Sequence, residues 1–86
     1  MLKLDLTKQA VKFIRTLDAK QFRQVINKII GIMDNPNQSD IEQLKGYPYK
    51  KGDIGEFRII FRVEGDCLKV SFVGKRNDAE VYRQLK

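Results

Sequence analysis

The stretch EFRIIFRVEGDCLKVSFVG, from Glu56 to Gly74, constrains the fold of this 86-residue chain more than any other. Apolar and polar residues alternate on both sides of Gly65-Asp66, which is the pattern of two half-buried strands joined by a two-residue turn. A glycine at the first turn position is typical of a type II′ turn. The sequence therefore predicts an antiparallel β-hairpin here.

A two-residue loop also fixes which residues of the hairpin face each other. The predicted register places these pairs opposite each other: Val63 and Leu68, Phe61 and Val70, Ile59 and Phe72, Arg58 and Val73. One face of the sheet is then apolar and needs a cover, whereas the other is predicted to be cationic. Arg62 opposite Lys69 on that second face is expected to cause weak repulsion.

Two helices are predicted to supply the cover. The opening LKLDLT alternates as a strand does, and Thr7 and Asp18 are candidate N-caps for the helices that follow. Gln21 stands three residues after Asp18, as in a capping box, and Pro36 ends the second helix. Apolar residues at helical spacing predict the buried stripes, which are Ala10, Phe13, Ile14 and Leu17, then Phe22, Val25, Ile26, Ile29 and Met33.

The segment between the helices and the hairpin is polar and contains both prolines. It is predicted to be mostly loop, with a short edge strand at Lys50–Ile54, and a short C-terminal helix is predicted from about Asp78. The fold class is therefore α+β. An N-terminal strand and an antiparallel helical hairpin pack on a mainly antiparallel β-sheet, and we expect residues 1–86 to form a single domain.

Composition limits the possible chemistry. The chain has no histidine and one cysteine, Cys67, which excludes histidine-activated nucleophiles, histidine-based metal sites and internal disulfides. We expect no metal and no cofactor. No apolar run approaches the ~20 residues of a membrane span, so no membrane partner is expected and a cytoplasmic location fits. The net charge of +6 indicates a nucleic acid or an acidic protein as partner, or merely a soluble basic surface.

Several cations are predicted to meet where the middle segment enters the hairpin and where the hairpin ends: Lys50, Lys51, Arg58, Lys75 and Arg76. Clustered cations bind phosphate, stabilise extra charge in a phosphoryl transition state, and lower the pKa of a neighbouring lysine. Tyr82 offers a ring on which an RNA base can stack. A plain nucleic-acid-binding face is the alternative. Asp53 and Glu56 are interpreted as acids that solvate a turn rather than as a hydrolase pair.

The tail GKRNDAEVY, which starts at Gly74 and follows the EFRIIFRV strand, resembles the RelE family of bacterial toxins within the RelE/ParE superfamily. LKGYP at Leu44–Pro48 resembles the segment before the family's second strand, and Gly55–Arg58 resembles its GxFR-type element. The resemblance spans almost the whole chain. The GKR and EVY elements are the ones typical of the mRNA-cleaving branch.

The resemblance implies a toxin of a type II toxin–antitoxin system that enters the ribosomal A site and cuts mRNA there. The 2′-hydroxyl attacks the adjacent phosphate, leaving a 2′,3′-cyclic phosphate and a 5′-hydroxyl, and no metal is needed. The implied partners are the ribosome with its mRNA and a cognate antitoxin, whose wrapping part is often acidic. Such a partner suits the predicted cationic face.

Residue roles follow from the same resemblance. Arg58 matches the arginine that stabilises the scissile phosphate, and Arg76 matches the one near the leaving oxygen, the usual acid. Tyr82 matches the tyrosine that stacks on a substrate base. Lys51 matches the first of two basic residues on the second strand. Four further cations are expected to attract RNA, namely Lys50, Arg62, Lys75 and Arg83.

The sequence departs from the family pattern at the second basic position, which aligns near Asp53. Either Lys50 and Lys51 share both basic roles, or the base is missing and activity is weak. Two other functions stay open. One is a ParE-like inhibitor that binds DNA gyrase, and the other is a degenerate toxin that binds only its antitoxin or RNA.

Overall fold

The structure, a computed structural model, describes residues 1–77. In chain order the elements are β1 (Lys3–Leu6), α1 (Lys8–Arg15), α2 (Ala19–Asp34), β2 (Glu42–Gln43), β3 (Lys50–Ile54), β4 (Phe57–Glu64) and β5 (Cys67–Lys75). Within these residues the strands form one five-stranded sheet in the order β1-β5-β4-β3-β2. The predicted C-terminal helix, with Tyr82 and Arg83, lies outside the described residues.

The sheet is mainly antiparallel, as predicted. β1 runs parallel to β5, while β5, β4, β3 and β2 pair with their neighbours in antiparallel fashion. The helices lie between β1 and the rest of the sheet in the chain, which gives the parallel pair the long connection it requires. The α+β class is confirmed. Among residues 1–77 neither helix has the length and apolar character needed to cross a bilayer.

Both predicted helix starts are confirmed by their caps. The Thr7 side chain accepts a hydrogen bond from the backbone N–H of Ala10, and Asp18 accepts one from Gln21 at 2.8 Å. Gln21 in turn accepts one from the Asp18 backbone N–H at 3.5 Å, which completes the capping box. The second helix ends at Asp34, just before the segment that contains Pro36.

The helical hairpin covers one face of the sheet and buries the main core, which comprises Ala10, Ile14, Val25, Ile29, Ile32, Phe57, Ile59, Phe61, Leu68, Val70 and Val73. The rings of Phe13 and Phe57 meet edge to face with centroids 5.9 Å apart. Ile32 is fully buried, whereas Phe22, predicted to be buried, is 43% exposed. The buried stripe of α2 runs through Val25, Ile29 and Ile32, and Phe22 lies outside it in the first turn.

The hairpin turn has the predicted geometry. Glu64 pairs with Cys67, and Gly65 has a φ of 58°, which a type II′ turn requires at its first position. The side chain of Glu64 lies 3.2 Å from Arg62 and 2.7 Å from Lys69. The repulsion expected between these two cations is therefore offset by a shared carboxylate.

The hairpin register changes beyond Phe61. Phe61 pairs with Val70 as predicted, but the next residue on β4, Ile60, pairs with Phe72 and leaves Ser71 as an extra residue. The predicted pairings of Ile59 with Phe72 and of Arg58 with Val73 are therefore wrong. A one-residue bulge reverses the side-chain alternation on the bulged strand. Val73 consequently faces the helices, and Phe72 faces the other way.

The second face of the sheet has its own small core, which the sequence analysis did not predict. Leu44, Ile60 and Phe72 are buried there, and Tyr47 and Tyr49 pack against them. β3 is not the predicted edge strand, because β2 pairs with its outer side. This face is therefore part apolar and part cationic.

Gly74 permits the Phe72 ring to lie back along its own strand. A Cβ at position 74 would stand 2.4 Å from the Cε1 atom of that ring, far inside van der Waals contact. We expect Gly74→Ala to lower the free energy of unfolding by about 1–3 kcal/mol, because the buried ring would be displaced. Urea denaturation followed by circular dichroism measures this.

The matched variant for this experiment is Gly74→Ala combined with Phe72→Leu. Since leucine lacks the ring that clashes, the alanine should cost less in the Phe72→Leu background than in the wild type. An equal cost in both backgrounds would contradict the proposed clash.

Candidate active site

The face of the sheet opposite the helices brings several charged side chains together. Asp53 pairs with Arg58 across β3 and β4, and Lys51 pairs with Ile60. Between them, Gly52 faces the helical side, where an added Cβ would meet Ile41 at 2.8 Å. Because side chains alternate along a strand, Lys51 and Asp53 lie on the opposite face together with Arg58.

Arg58 and Asp53 form a bidentate ion pair. The Nε atom of Arg58 donates to Oδ1 of Asp53 at 2.8 Å, and Nη2 donates to Oδ2 at 3.2 Å. The Arg58 side chain is only 12% exposed and that of Asp53 is 35% exposed. Asp53 is therefore not the turn-solvating acid that the sequence suggested, but the partner of a predicted catalytic arginine.

The cations around Asp53 lower the pKa of its carboxyl group. The hydrogen bond from Arg58 holds the pKa of the Asp53 carboxyl below its ordinary value, against the partial burial that would raise it. The positive charges of Arg58, Lys51 and Arg76 lower the same pKa further. Three of the predicted catalytic residues thus act on one carboxylate. We call Lys51, Arg58 and Arg76 the cationic cluster.

Arg76 reaches this position from the end of β5. Its backbone N–H donates to the Glu56 carbonyl at 2.8 Å, which ties the residue to the start of β4. Gly74 is the cross-strand partner of Arg58. Arg76 stands two residues after this partner, so the GKR element brings it close to the ion pair.

Two of the cations expected to join the cluster lie elsewhere. Lys50 pairs with Phe61, whose side chain faces the helices. The Nζ atom of Lys50 donates to Oδ1 of Asn37 at 3.0 Å. Lys75 pairs with Phe57 on that same helical side, because the bulge reverses the alternation of β5. Lys50 and Lys51 thus lie on opposite faces, so this geometry does not favour a shared basic role.

Aromatic side chains that the sequence analysis did not select lie beside the cluster. Tyr49 stands two residues before Lys51 on the same face, and the Arg62 guanidinium lies 5.9 Å from the centroid of its ring. Gln43 donates to the carbonyls of Tyr47 and Tyr49 at 2.9 and 2.7 Å and holds this segment against the sheet. Tyr49, Lys51 and Asp53 stand at every second position of the chain, and this alternation is the sequence signal that could have placed Tyr49 on the face of the cluster.

The arrangement suits the binding of a phosphate. Guanidinium groups present donors in a planar fork that matches a phosphate, and a lysine ammonium adds a compact charge. Lys51 also forms an ion pair with Glu42 of β2 at 3.5 Å, where the carboxylate is well exposed. Such a group of cations stabilises the extra negative charge that develops at a phosphate under attack.

Comparison with solved structures identifies the fold. A mutant of the *E. coli* toxin RelE in the free state superposes with a TM-score of 0.82 at 25% identity, covering 98% of this chain and 93% of that one. The chain has the RelE toxin fold. The resemblance to RelE-family toxins that the sequence indicated is therefore confirmed.

Two further solved structures share this RelE-like fold. The intact *E. coli* RelBE toxin–antitoxin complex matches with a TM-score of 0.77 at 22% identity over 91% of this chain and 100% of that one. A chromosomal ParDE system from *P. aeruginosa* gives 0.72 at 15% identity over 87% and 96%. No protein-family model and no curated protein matches the sequence. At identities of 22% and 15%, the likeness to the RelBE and ParDE structures concerns the fold alone.

The lowered pKa of Asp53 predicts a pH dependence of stability. A carboxyl whose pKa is lower in the folded state stabilises the fold above its unfolded pKa, 3.8, and loses this contribution as pH falls through the folded value. Asp53→Asn should therefore be less stable than wild type at pH 6, and the difference should be smaller at pH 2. Urea denaturation at both pH values measures this.

Asp66→Asn is the control for this experiment. Asp66 pairs with Lys3 at 3.4 Å, but both side chains are more than three-quarters exposed, so water screens the pair. It should follow the wild type closely at both pH values. If the stability difference between Asp53→Asn and the wild type persists unchanged at low pH, the charge of Asp53 is not its cause.

Proposed function

We propose that this protein is the toxin of a type II toxin–antitoxin system and a ribosome-dependent endoribonuclease that cleaves mRNA in the A site. The observation that carries the proposal is the cationic cluster on the open face of a RelE toxin fold. Cations of the types that bind phosphate converge there, on a face of the sheet that the helices do not cover.

The proposed reaction is an internal transfer at one phosphate of the mRNA. The 2′ oxygen bonds to phosphorus and the bond to the 5′ oxygen breaks, leaving a 2′,3′-cyclic phosphate and a 5′-hydroxyl. Arg58 stabilises the charge on the phosphate. Lys51 is the residue assigned to accept the proton of the 2′-hydroxyl, and Arg76 supplies a proton to the departing 5′ oxygen. No metal or cofactor takes part.

The remaining predicted residues act on binding in this proposal. Tyr82 stacks on a base next to the cleaved bond and so orients the 2′-hydroxyl. Arg62 lies on the face of the cluster and attracts the RNA backbone, as Arg83 does from the tail. Lys50 and Lys75 point to the helical side, where they add to the general positive field rather than to contacts at the cleaved phosphate.

Three partners follow for such a toxin. Ribosome and mRNA supply the substrate in its reactive geometry, which places the protein in the cytoplasm. A cognate antitoxin holds it inactive, as the *E. coli* RelBE toxin–antitoxin complex suggests. A basic chain of net charge +6 suits an antitoxin with an acidic wrapping segment.

Arg76→Ala and Tyr82→Ala test the chemistry. Each should slow single-turnover cleavage on programmed ribosomes by on the order of 100-fold or more, because each removes a group that acts at the reacting phosphate or its base. Primer extension locates the cuts. Thermal unfolding should show that both variants retain their fold.

Lys3→Ala is the matched control, since Lys3 is an exposed cation on β1, at the far side of the sheet from β3. It should cleave at the wild-type rate. Wild-type cleavage in both Arg76→Ala and Tyr82→Ala would contradict the assignment. Inhibition of gyrase supercoiling by the wild type, with no mRNA cuts, would instead favour the ParE-like function, whose fold this chain also resembles.

A further inference from the structure

We propose that Asp53 competes with the RNA phosphate for Arg58, and that this competition restricts the site to a phosphodiester already held in place. The inference rests on the proposed function and names a residue that tunes it. It explains why a carboxylate stands in a cluster otherwise suited to anions.

The geometry of the ion pair is the first support. Asp53 uses both its oxygens to take two donors of Arg58, Nε and Nη2, at 2.8 and 3.2 Å. These two donors form one edge of the planar guanidinium, and the same edge binds two oxygens of a phosphate. A phosphate that uses this edge therefore competes with the carboxylate for the same two donors.

The different burial of the two side chains determines which of them an approaching phosphate meets first. The Arg58 side chain is 12% exposed and the Asp53 side chain is 35% exposed, so the carboxylate is the more accessible member of the pair. A phosphate that approaches Arg58 through Asp53 meets a negative charge before it meets the donors. It must displace that charge or share the arginine with it.

Asp53 cannot easily turn away. Its backbone is paired with Arg58 in the β3–β4 ladder, and its side chain is held by two hydrogen bonds from the same residue. Neighbouring positive charges from Lys51 and Arg76 favour the ionised carboxylate. The competitor is therefore permanent near neutral pH.

A fixed competitor affects free and positioned substrates differently. Free RNA must spend its binding free energy on loss of motion as well as on displacing Asp53. An mRNA phosphate held by the ribosome has already lost that motion, so more of its interaction with Lys51 and Arg76 remains to displace the carboxylate. Asp53 thus discriminates against free RNA.

Asp53→Asn tests the inference, because the amide has the same shape and keeps a hydrogen-bond acceptor but lacks the charge. We expect the purified full chain carrying this change to bind a short single-stranded RNA about three- to tenfold more tightly than wild type at low salt. Fluorescence anisotropy measures the affinity.

Asp66→Asn is the matched control, because it makes the same change in net charge at the hairpin turn, at the opposite end of β4 from Arg58. It should change the affinity by less than about twofold, since its charge is well exposed and distant from the cluster. Equal tightening in both variants would overturn the inference, because net charge alone would then be responsible.

Cleavage provides the second readout. Asp53→Asn should raise the ratio of free-RNA cleavage to ribosome-dependent cleavage relative to wild type. Loss of cleavage without tighter binding would overturn the inference. A third outcome separates the two proposals. If neither the wild type nor any variant cuts mRNA, but Asp53→Asn alone binds RNA more tightly, the competition stands and the proposed nuclease function fails.

A measurement on the wild type covers the case in which Asp53→Asn does not fold. The Nε–H resonance of Arg58 reports its hydrogen-bond partner in ¹H–¹⁵N spectra. Adding the short RNA at saturating concentration should shift this resonance, because phosphate replaces the carboxylate. An Arg58 resonance that stays unchanged while other cluster residues shift would overturn the inference.

Discussion

The bulge at Ser71 is the constraint on which both faces of this sheet depend. Without it, β5 would keep one alternation along its whole length, and Phe72 would face the helices. With it, Val73 completes the helix-covered core while Phe72 joins Ile60 on the other side. The same change of phase places Gly74, rather than a larger side chain, directly opposite Arg58.

The site depends on this arrangement because its floor is apolar. Phe72, Ile60 and Leu44 are buried beneath the open face, and the Phe72 ring occupies the space that Gly74 leaves empty. Low exposure of Arg58 strengthens its interaction with Asp53, since less water screens the pair. The small second core lies on the same face of the sheet as Arg58 and Asp53.

Much of the fold was predictable from the sequence because local signals agreed with each other. The caps at Thr7 and Asp18, the turn at Gly65 and the alternation of β4 each specify structure within a few residues. The sequence also predicted that Lys51, Arg58 and Arg76 meet, whereas their catalytic roles, which come from the resemblance, stay predictions. The bulge was not predictable, because Phe72 and Val73 are adjacent apolar residues and either of them could face the helices.

The sequence alone determined the element types, the hairpin turn and the absence of histidine, because each is a property of neighbouring residues or of composition. Only the tertiary structure decided which cations share a face and that Asp53 occupies the donor edge of Arg58. Those facts depend on pairing between strands that are separated in the chain. A shift of one residue in that pairing moves a charge from the site to the opposite side of the sheet.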